Sequence, residues 1–228
     1  YPSSIIVNSK AFKKEIDKKF LVNSDLIYNP LNKKEILNKS RVKLKKKIYN
    51  HNSLKLINIA RLTNQKDHST LIKAMKIVSK KIMCNLIIIG YGVNKFSIQK
   101  EINDYKLQRF IKIIDYKINP FPYLRASDLF VLTSKFEGLP NVILEAQTLK
   151  KYVISTDCPT GPKEILLNGE IGSLFKIGDH RKLATLILEF KKNKKAFQKK
   201  TKRAFMMLNR FAFKENCNKY LFFINKYT

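Results

Sequence analysis

The chain has 228 residues, of which 44% are hydrophobic and 11% aromatic. That content supplies a hydrophobic core, which excludes a wholly disordered chain. The longest apolar runs, such as 86–89, have the length of a strand, so the sequence predicts no membrane-spanning helix. The chain opens on tyrosine and carries no signal peptide, so we expect a fragment of a longer protein.

The net charge has two explanations. Lysine and arginine number 46 against 17 aspartates and glutamates, which gives a formal charge of +29. Such a charge is typical of proteins that bind nucleic acid or anionic membranes. Only seven of the 46 are arginine, however, and arginine is the residue that reads phosphates and guanine edges bidentately. A/T-rich codons also produce a composition rich in lysine, asparagine and isoleucine, so the charge alone indicates no nucleic-acid partner.

Cysteine and histidine usage predicts neither a disulfide framework nor a metal centre. The cysteines are odd in number and far apart, and each histidine stands alone in the sequence. This usage favours a reducing, cytoplasmic compartment. The residues concerned are Cys84, Cys158, Cys217, His51, His68 and His180.

In chain order, residues 1–30 are predicted as strand, helix and strand at 4–7, 10–20 and 26–28. The lysine-dense stretch 32–52 lacks apolar periodicity and is interpreted as a linker or exposed loop. From residue 54 strands and helices then alternate, and after residue 179 the rest of the chain is predicted to be helical. Strands are predicted at 54–60, 85–89, 111–114, 129–133 and 152–156, and helices at 69–80, 95–106, 121–126, 142–149, 181–192, 194–209 and 214–227.

This alternation predicts an α/β fold. Strands that are apolar on both faces indicate a Rossmann-like parallel sheet with helices on both faces. Ligands bind such sheets at the carboxyl ends of the strands, which directs attention to the loops there. The predicted organisation is the tail of a preceding domain at 1–30, a basic linker at 31–53, the α/β domain at 54–200 and a C-terminal packing helix at 201–228.

Two of these loops carry cations or glycines. Arg61 and Lys66 follow the first strand and are suited to a diphosphate, although cations at a helix start are also common on ordinary surfaces. Gly90 and Gly92 follow the second strand. The third glycine of a dinucleotide fingerprint is missing, so we interpret this turn as a close backbone approach and predict no NAD site.

The loop after 129–133 is the most informative. Glu137 lies in a turn, and Glu145 lies one turn into the next helix. The backbone amides from Gly138 to Asn141 would point into the crevice from a helix N-terminus, which favours a phosphate. Carboxylates accept hydrogen bonds from sugar hydroxyls. A helix cap with a surface glutamate is the alternative interpretation.

The segment 137–145 resembles the E-x7-E motif of retaining, nucleotide-sugar-dependent glycosyltransferases of family 4, which have the GT-B fold. Three further segments are similar to motifs of that family: 60–67, 119–131 and 157–166. Two positions depart from the family pattern, at Ala60 and Asp115, where glycine is usual. The resemblance covers residues 1 to about 190 in the family's order, and it identifies the chain as the C-terminal, donor-binding half.

The resemblance implies roles for the loop residues. Arg61, Lys66 and Glu137 would be catalytic: the cations would bind the donor diphosphate, and Glu137 would hold the donor hexose. Glu145 would bind the ribose. The remaining donor-binding positions would be Gly138, Leu139, Pro140 and Asn141 around the diphosphate and sugar, Lys117 and Ile118 beside the nucleobase, and Gly90. No metal or other cofactor is implied.

The implied activity is the transfer of a hexose or N-acetylhexosamine from a nucleotide-sugar, expected to be a UDP-sugar, to a growing glycan or lipid-linked acceptor. The expected partners also include the missing N-terminal domain, without which we expect this chain to be inactive, and weak contact with an anionic membrane surface. We expect a cytoplasmic location, with peripheral contact at the inner membrane face left open. The alternatives are a basic nucleic-acid or anionic-membrane binding module, and an epimerase-like enzyme of the same fold.

Overall fold

The computed structural model describes residues 4–44 and 48–227. The first three residues, the lysines at 45–47 and the last residue lie outside this range, and so do the predictions that fall on them. Within the described ranges, no helix is long and apolar enough to cross a membrane.

The N-terminal segment forms a strand, helix and strand, as predicted. Strand β1 (Ile6–Val7) pairs in parallel with β2 (Asp25–Leu26), and α1 (Lys10–Phe20) connects them. The helix begins after Ser9 because the Ser9 hydroxyl accepts a hydrogen bond from the amide of Phe12.

The prediction of an unstructured stretch at 32–52 was wrong in its first part. Helix α2 (Lys33–Lys39) forms there, capped by the side chain of Asn32. Ile36 is its one buried residue, and it packs into the same apolar cluster as Phe211. A seven-residue helix with a single buried contact leaves no apolar repeat in the sequence, so periodicity could not reveal it.

The predicted α/β fold is confirmed. All six strands of the main sheet are parallel, in the order β5-β4-β3-β6-β7-β8. Of the five predicted strands, two have the observed bounds and three differ by one residue at one end; β8 was not predicted. The strands are β3 (Leu54–Ile59), β4 (Cys84–Ile89), β5 (Ile111–Ile114), β6 (Leu129–Leu132), β7 (Tyr152–Thr156) and β8 (Ser173–Phe175).

Helices cover both faces of the sheet, because the strands bury apolar side chains on each side. One apolar cluster lies between the sheet and α3, α4 and α8, and the other between the sheet and α2, α5, α6 and α7. The short helix α7 was not predicted. The helices are α3 (His68–Val78), α4 (Lys95–Asp104), α5 (Phe121–Ala126), α6 (Asn141–Thr148), α7 (Gly161–Ile165), α8 (His180–Lys192), α9 (Lys194–Met207) and α10 (Phe213–Tyr227).

The C-terminal helix returns to the N-terminal segment. Tyr220 in α10 donates a hydrogen bond of 3.3 Å from its hydroxyl to the carbonyl of Ile27, and the Leu31 amide donates to the Phe211 carbonyl at 2.8 Å. The predicted domain boundary at 201 falls inside α9, and the division into domains stays a prediction. The assignment of 1–30 to a preceding domain stays a prediction.

Candidate functional site

The strand order creates a crevice between β3 and β6. From β3 the chain proceeds outward to β4 and β5, and from β6 it proceeds in the opposite direction to β7 and β8. The loops after β3 and β6 therefore leave the sheet in opposite directions, which is where open parallel sheets bind ligands. The two strands pair only at Leu56–Leu129 and Ile57–Phe130. Beyond that pairing, the buried Asn58 side chain bridges them by donating to the Val131 carbonyl at 2.9 Å.

Lys66 and Glu137 meet across this crevice. The Lys66 ammonium lies 2.5 Å from Glu137 Oε1, and the two side chains are only 13% and 9% exposed. The sequence assigned these residues separate tasks on the same ligand, and it did not predict their ion pair. The pair places a cation and a carboxylate together at the sheet's switch point, where a polar ligand would contact both.

Three hydroxyl groups hold this pair in place. The Ser134 hydroxyl donates to Glu137 Oε1 at 2.6 Å, so the carboxylate has a second fixed partner. The Thr133 hydroxyl donates to the carbonyl of Lys66 at 2.8 Å, and the Thr156 hydroxyl donates to the carbonyl of Ser134 at 2.7 Å. All three of these hydroxyl residues are fully buried. Sequence reasoning missed them, although their position at the ends of β6 and β7 was a usable signal.

Arg61 lies at the open edge of the crevice. Its side chain is exposed, and its guanidinium contacts Gln65 Oε1 at a long 3.4 Å. Gln65 in turn donates to the Phe136 carbonyl at 2.9 Å and accepts from the Lys135 amide at 2.8 Å. The loop after β3 is thereby tied to the loop after β6, while the Arg61 charge remains available to a ligand.

Glu145 lies in α6, the helix that follows this loop. Burial raises the pKa of its carboxyl to about 7, and no charge or hydrogen bond from a described residue lowers it. Glu145 is half-buried, and a half-buried carboxylate without a partner among the described residues is stabilised when a ligand supplies hydrogen-bond donors. Sugar hydroxyls are such donors.

The loop between Glu137 and α6 contributes backbone amides. Helix α6 begins at Asn141 with no side-chain cap, and within the described residues the Gly138 and Leu139 amides donate to no acceptor. Leu139 buries its side chain in the core, and Pro140 precedes the helix. The Asn141 side chain accepts a hydrogen bond from Asn29 at 2.8 Å. The side-chain oxygen of Asn29 in turn accepts a hydrogen bond of 3.2 Å from the Asn8 side chain. The N-terminal segment is thereby linked to this loop.

The structure explains Gly90 by packing. A Cβ atom at this position would lie 1.9 Å from the carbonyl oxygen of Ala60, so only glycine lets the ends of β3 and β4 approach.

Lys117 and Ile118 follow β5 at the edge of the sheet. They border a separate cavity of about 630 Å³, and Ile118 is 90% exposed. A nucleobase contact at Lys117 and Ile118 stays a prediction.

The residues in this part of the chain do not assemble a metal centre. Among the described residues, no three histidine, cysteine, aspartate or glutamate side chains are grouped so that they could hold a metal ion.

A family comparison decides the affiliation of the chain. The profile of the family described as "Glycosyl transferases group 1" matches residues 39–206, which include both loops of the crevice. This chain belongs to that family. It is 40% identical over 172 residues to an uncharacterized glycosyltransferase of Methanocaldococcus jannaschii, a match that covers 73% of this chain and 42% of the relative.

A second relative is named N-acetylgalactosamine-N,N'-diacetylbacillosaminyl-diphospho-undecaprenol 4-alpha-N-acetylgalactosaminyltransferase, from Campylobacter jejuni. It is 26% identical across 97% of this chain and 61% of its own length. The chain therefore spans between 42% and 61% of the length of these two curated relatives. The crystal structure of Anabaena HepE in complex with UDP superposes with a TM-score of 0.85 and 18% identity, over 99% of this chain and 64% of that one. This likeness shows the Rossmann-like GT-B fold.

Proposed function

We propose that this chain is the donor-binding half of a retaining, metal-independent glycosyltransferase of family 4. The enzyme would transfer a hexose or N-acetylhexosamine from a UDP-sugar to a growing glycan or lipid-linked acceptor. The observation that carries the proposal is the Lys66–Glu137 pair at the switch point of the sheet, with Arg61 at its open edge.

The two cations suit the chemistry of the leaving group. When the bond between the anomeric carbon and the diphosphate oxygen breaks, negative charge accumulates on the nucleoside diphosphate. Fixed cations at that position lower the activation barrier, because the negative charge on the diphosphate is larger in the transition state than in the bound donor and is therefore stabilised more. Arg61 can contact two phosphate oxygens at once, and Lys66 supplies a localised charge beside them.

The two carboxylates bind sugars in this proposal. Glu145 accepts hydrogen bonds from the ribose hydroxyls, and Glu137 accepts from the hexose while Lys66 and Ser134 hold it in place. A glycosidase pair would instead protonate the leaving group and attack or activate water. Because the departing diphosphate is an anion that needs neutralising, neither carboxylate has to serve as its acid.

In this proposal the acceptor is bound by a domain outside this chain. Transfer requires the acceptor hydroxyl to approach the anomeric carbon within about 3 to 3.5 Å. The short parallel pair β1–β2 would be the last part of an acceptor-binding domain, and Asn8 and Asn29 would bring it to the donor loop. We therefore expect this chain alone to bind donor without efficient transfer.

A donor panel in titration calorimetry tests the proposal. UDP, UDP-glucose, UDP-N-acetylglucosamine, GDP-mannose and a short oligonucleotide are titrated separately into the chain. We expect heat from UDP and its sugars and none from the oligonucleotide. Tight oligonucleotide binding without any response to the nucleotides would favour the basic binding module instead, and the proposal would be abandoned.

A further inference from the structure

Three asparagine side chains form a row of hydrogen bonds beside the loop after β6. Asn8 Nδ2 donates to Asn29 Oδ1 at 3.2 Å, and Asn29 Nδ2 donates to Asn141 Oδ1 at 2.8 Å. Among the described residues, Asn8 Oδ1 accepts from no donor and Asn141 Nδ2 donates to no acceptor. Reversing all three amides would exchange the two ends, so in either orientation the row offers a ligand one free acceptor and one free donor.

Asn8 is held between two elements of the N-terminal segment. It follows β1 directly and precedes Ser9, whose hydroxyl caps α1. Its neighbours Val7 and Ser9 are 3% and 0% exposed, whereas Asn8 itself is half-buried. A side chain whose backbone is fixed in this way loses little conformational entropy when it binds a ligand.

The loop that carries Glu137 leaves an open space opposite Asn8. The Gly138 carbonyl accepts from the Gly161 amide at 2.8 Å, which fixes this loop from the side of α7. Gly138 is exposed. Apart from its chain neighbours, a Cβ atom built on Gly138 would have one atom of the described residues within 4 Å, Asn8 Oδ1 at 3.9 Å. A gap therefore lies between Gly138 and Asn8, next to Glu137.

The groups beside this gap match a sugar better than a phosphate. Glu137 and the asparagine row supply acceptors, and the Gly138 amide is a donor without an acceptor among the described residues. Ionised phosphate oxygens only accept hydrogen bonds, so a phosphate in the gap would leave the acceptors unpaired and would face the Glu137 carboxylate. Hydroxyl and acetamido groups both donate and accept, so a hexose can pair with both kinds of group.

We infer that Asn8 is a specificity-determining residue for the transferred sugar. Its side-chain amide forms a hydrogen bond with a hydroxyl or acetamido group of the hexose, which occupies the gap beside Gly138. The N-terminal segment then selects the sugar together with the loops of the main sheet. This inference rests on the proposed function, because a nucleotide-sugar bound in the crevice is what brings a hexose to this gap.

NMR of the asparagine side-chain amides in the parent chain tests the contact directly. Spectra are recorded with saturating UDP and then with UDP-glucose, UDP-galactose, UDP-N-acetylglucosamine or UDP-N-acetylgalactosamine. We expect at least one UDP-sugar to shift the Asn8 signal relative to UDP, because a new hydrogen bond polarises the amide. The Asn8 signal is assigned through the backbone of the parent chain, so this readout does not depend on a variant that folds.

Titration calorimetry measures the contribution of Asn8 to affinity. Asn8→Ala should weaken binding of that UDP-sugar about threefold to tenfold, the effect of one hydrogen bond, and change the affinity for UDP by less than about twofold. The alanine removes one partly exposed hydrogen bond to Asn29, so the fold should persist. Asn103→Ala on α4 is the matched control, because its exposed side chain bonds only to Gln99 of its own helix; it should bind both ligands like the parent chain.

Three results would overturn the inference. The Asn8 signal could be identical with UDP and with every UDP-sugar, or Asn8→Ala could bind the UDP-sugars as tightly as the parent chain. Equal losses of UDP and UDP-sugar affinity in Asn8→Ala would show a structural role instead of sugar recognition. Each of these results, with normal UDP binding by the parent chain, refutes the assignment of Asn8 alone. A parent chain that binds no UDP would instead refute the proposed function.

Discussion

Replacing Glu145 by glutamine should stabilise the chain while it weakens nucleotide binding. Burial raises the pKa of Glu145 to about 7 from an ordinary value of 4.5, so the folded protein disfavours the ionised form. The penalty is absent below the unfolded pKa, grows as the pH rises to about 7, and is constant above it. Its full size is up to ~3 kcal/mol, because a tenfold change in acidity corresponds to about 1.4 kcal/mol.

The measurement is thermal unfolding of the parent chain and Glu145→Gln at pH 4.5 and pH 8, without nucleotide. Glutamine cannot ionise, so the variant should melt at a similar temperature to the parent at pH 4.5. At pH 8 it should melt higher, by up to ~10 °C at about 2–4 °C per kcal/mol for a chain of this size. The exposed Glu15→Gln on α1 is the control, and its small effect should be equal at both pH values.

Nucleotide binding should change in the opposite sense. If ribose hydroxyls bind only the ionised Glu145, UDP affinity in the parent chain should fall about tenfold from pH 8 to pH 6. Glu145→Gln should bind UDP weakly at both. The reasoning is refuted if the variant gains no stability at pH 8 relative to pH 4.5, or if its UDP affinity equals that of the parent.

The remaining predictions concern the cations Lys66 and Arg61, the packing of Gly90 against Ala60, and the metal independence of the transfer reaction. Lys66→Ala should lower the free energy of unfolding by ~3 kcal/mol in urea, because it leaves the nearly buried Glu137 carboxylate unpaired; an unchanged midpoint would contradict this. Arg61→Ala, at an exposed position, should leave stability within about 0.5 kcal/mol yet weaken UDP binding about tenfold or more in calorimetry. Equal UDP affinity would show that Arg61 does not bind the diphosphate. Gly90→Ala should destabilise by ~3 kcal/mol or prevent folding, since its Cβ would lie 1.9 Å from the Ala60 carbonyl oxygen; a stable variant would refute the packing explanation. EDTA should leave turnover by the enzyme that contains this chain unchanged, and activity restored by Mg²⁺ or Mn²⁺ would contradict metal independence.

The strands and long helices could be predicted because each carries an extended apolar pattern. Strand β8 was missed because it has only three residues, and only Phe175 is fully buried. Helix α7 was missed because glycine and proline open its five residues, which is typical of a turn. These elements depend on tertiary contacts that no local pattern encodes.

Part of the candidate site was also accessible from the sequence. Parallel strands end at one edge of their sheet, so the loops carrying Arg61 and Glu137 could be placed together before the fold was known. The ion pair of Glu137 with Lys66, its hydrogen bond from Ser134 and the bridge through Asn29 depend on distances between side chains. Positions along the chain do not determine those distances.

The most direct test of the account is a crystal structure of this chain with UDP bound. We expect the diphosphate beside Arg61 and Lys66 at the carboxyl ends of β3 and β6, with the ribose hydroxyls on Glu145. Lys66 would then contact both a phosphate oxygen and Glu137. A nucleotide bound elsewhere, for example against the lysines of α9, or a diphosphate that touches neither cation, would contradict the assignment of the donor site.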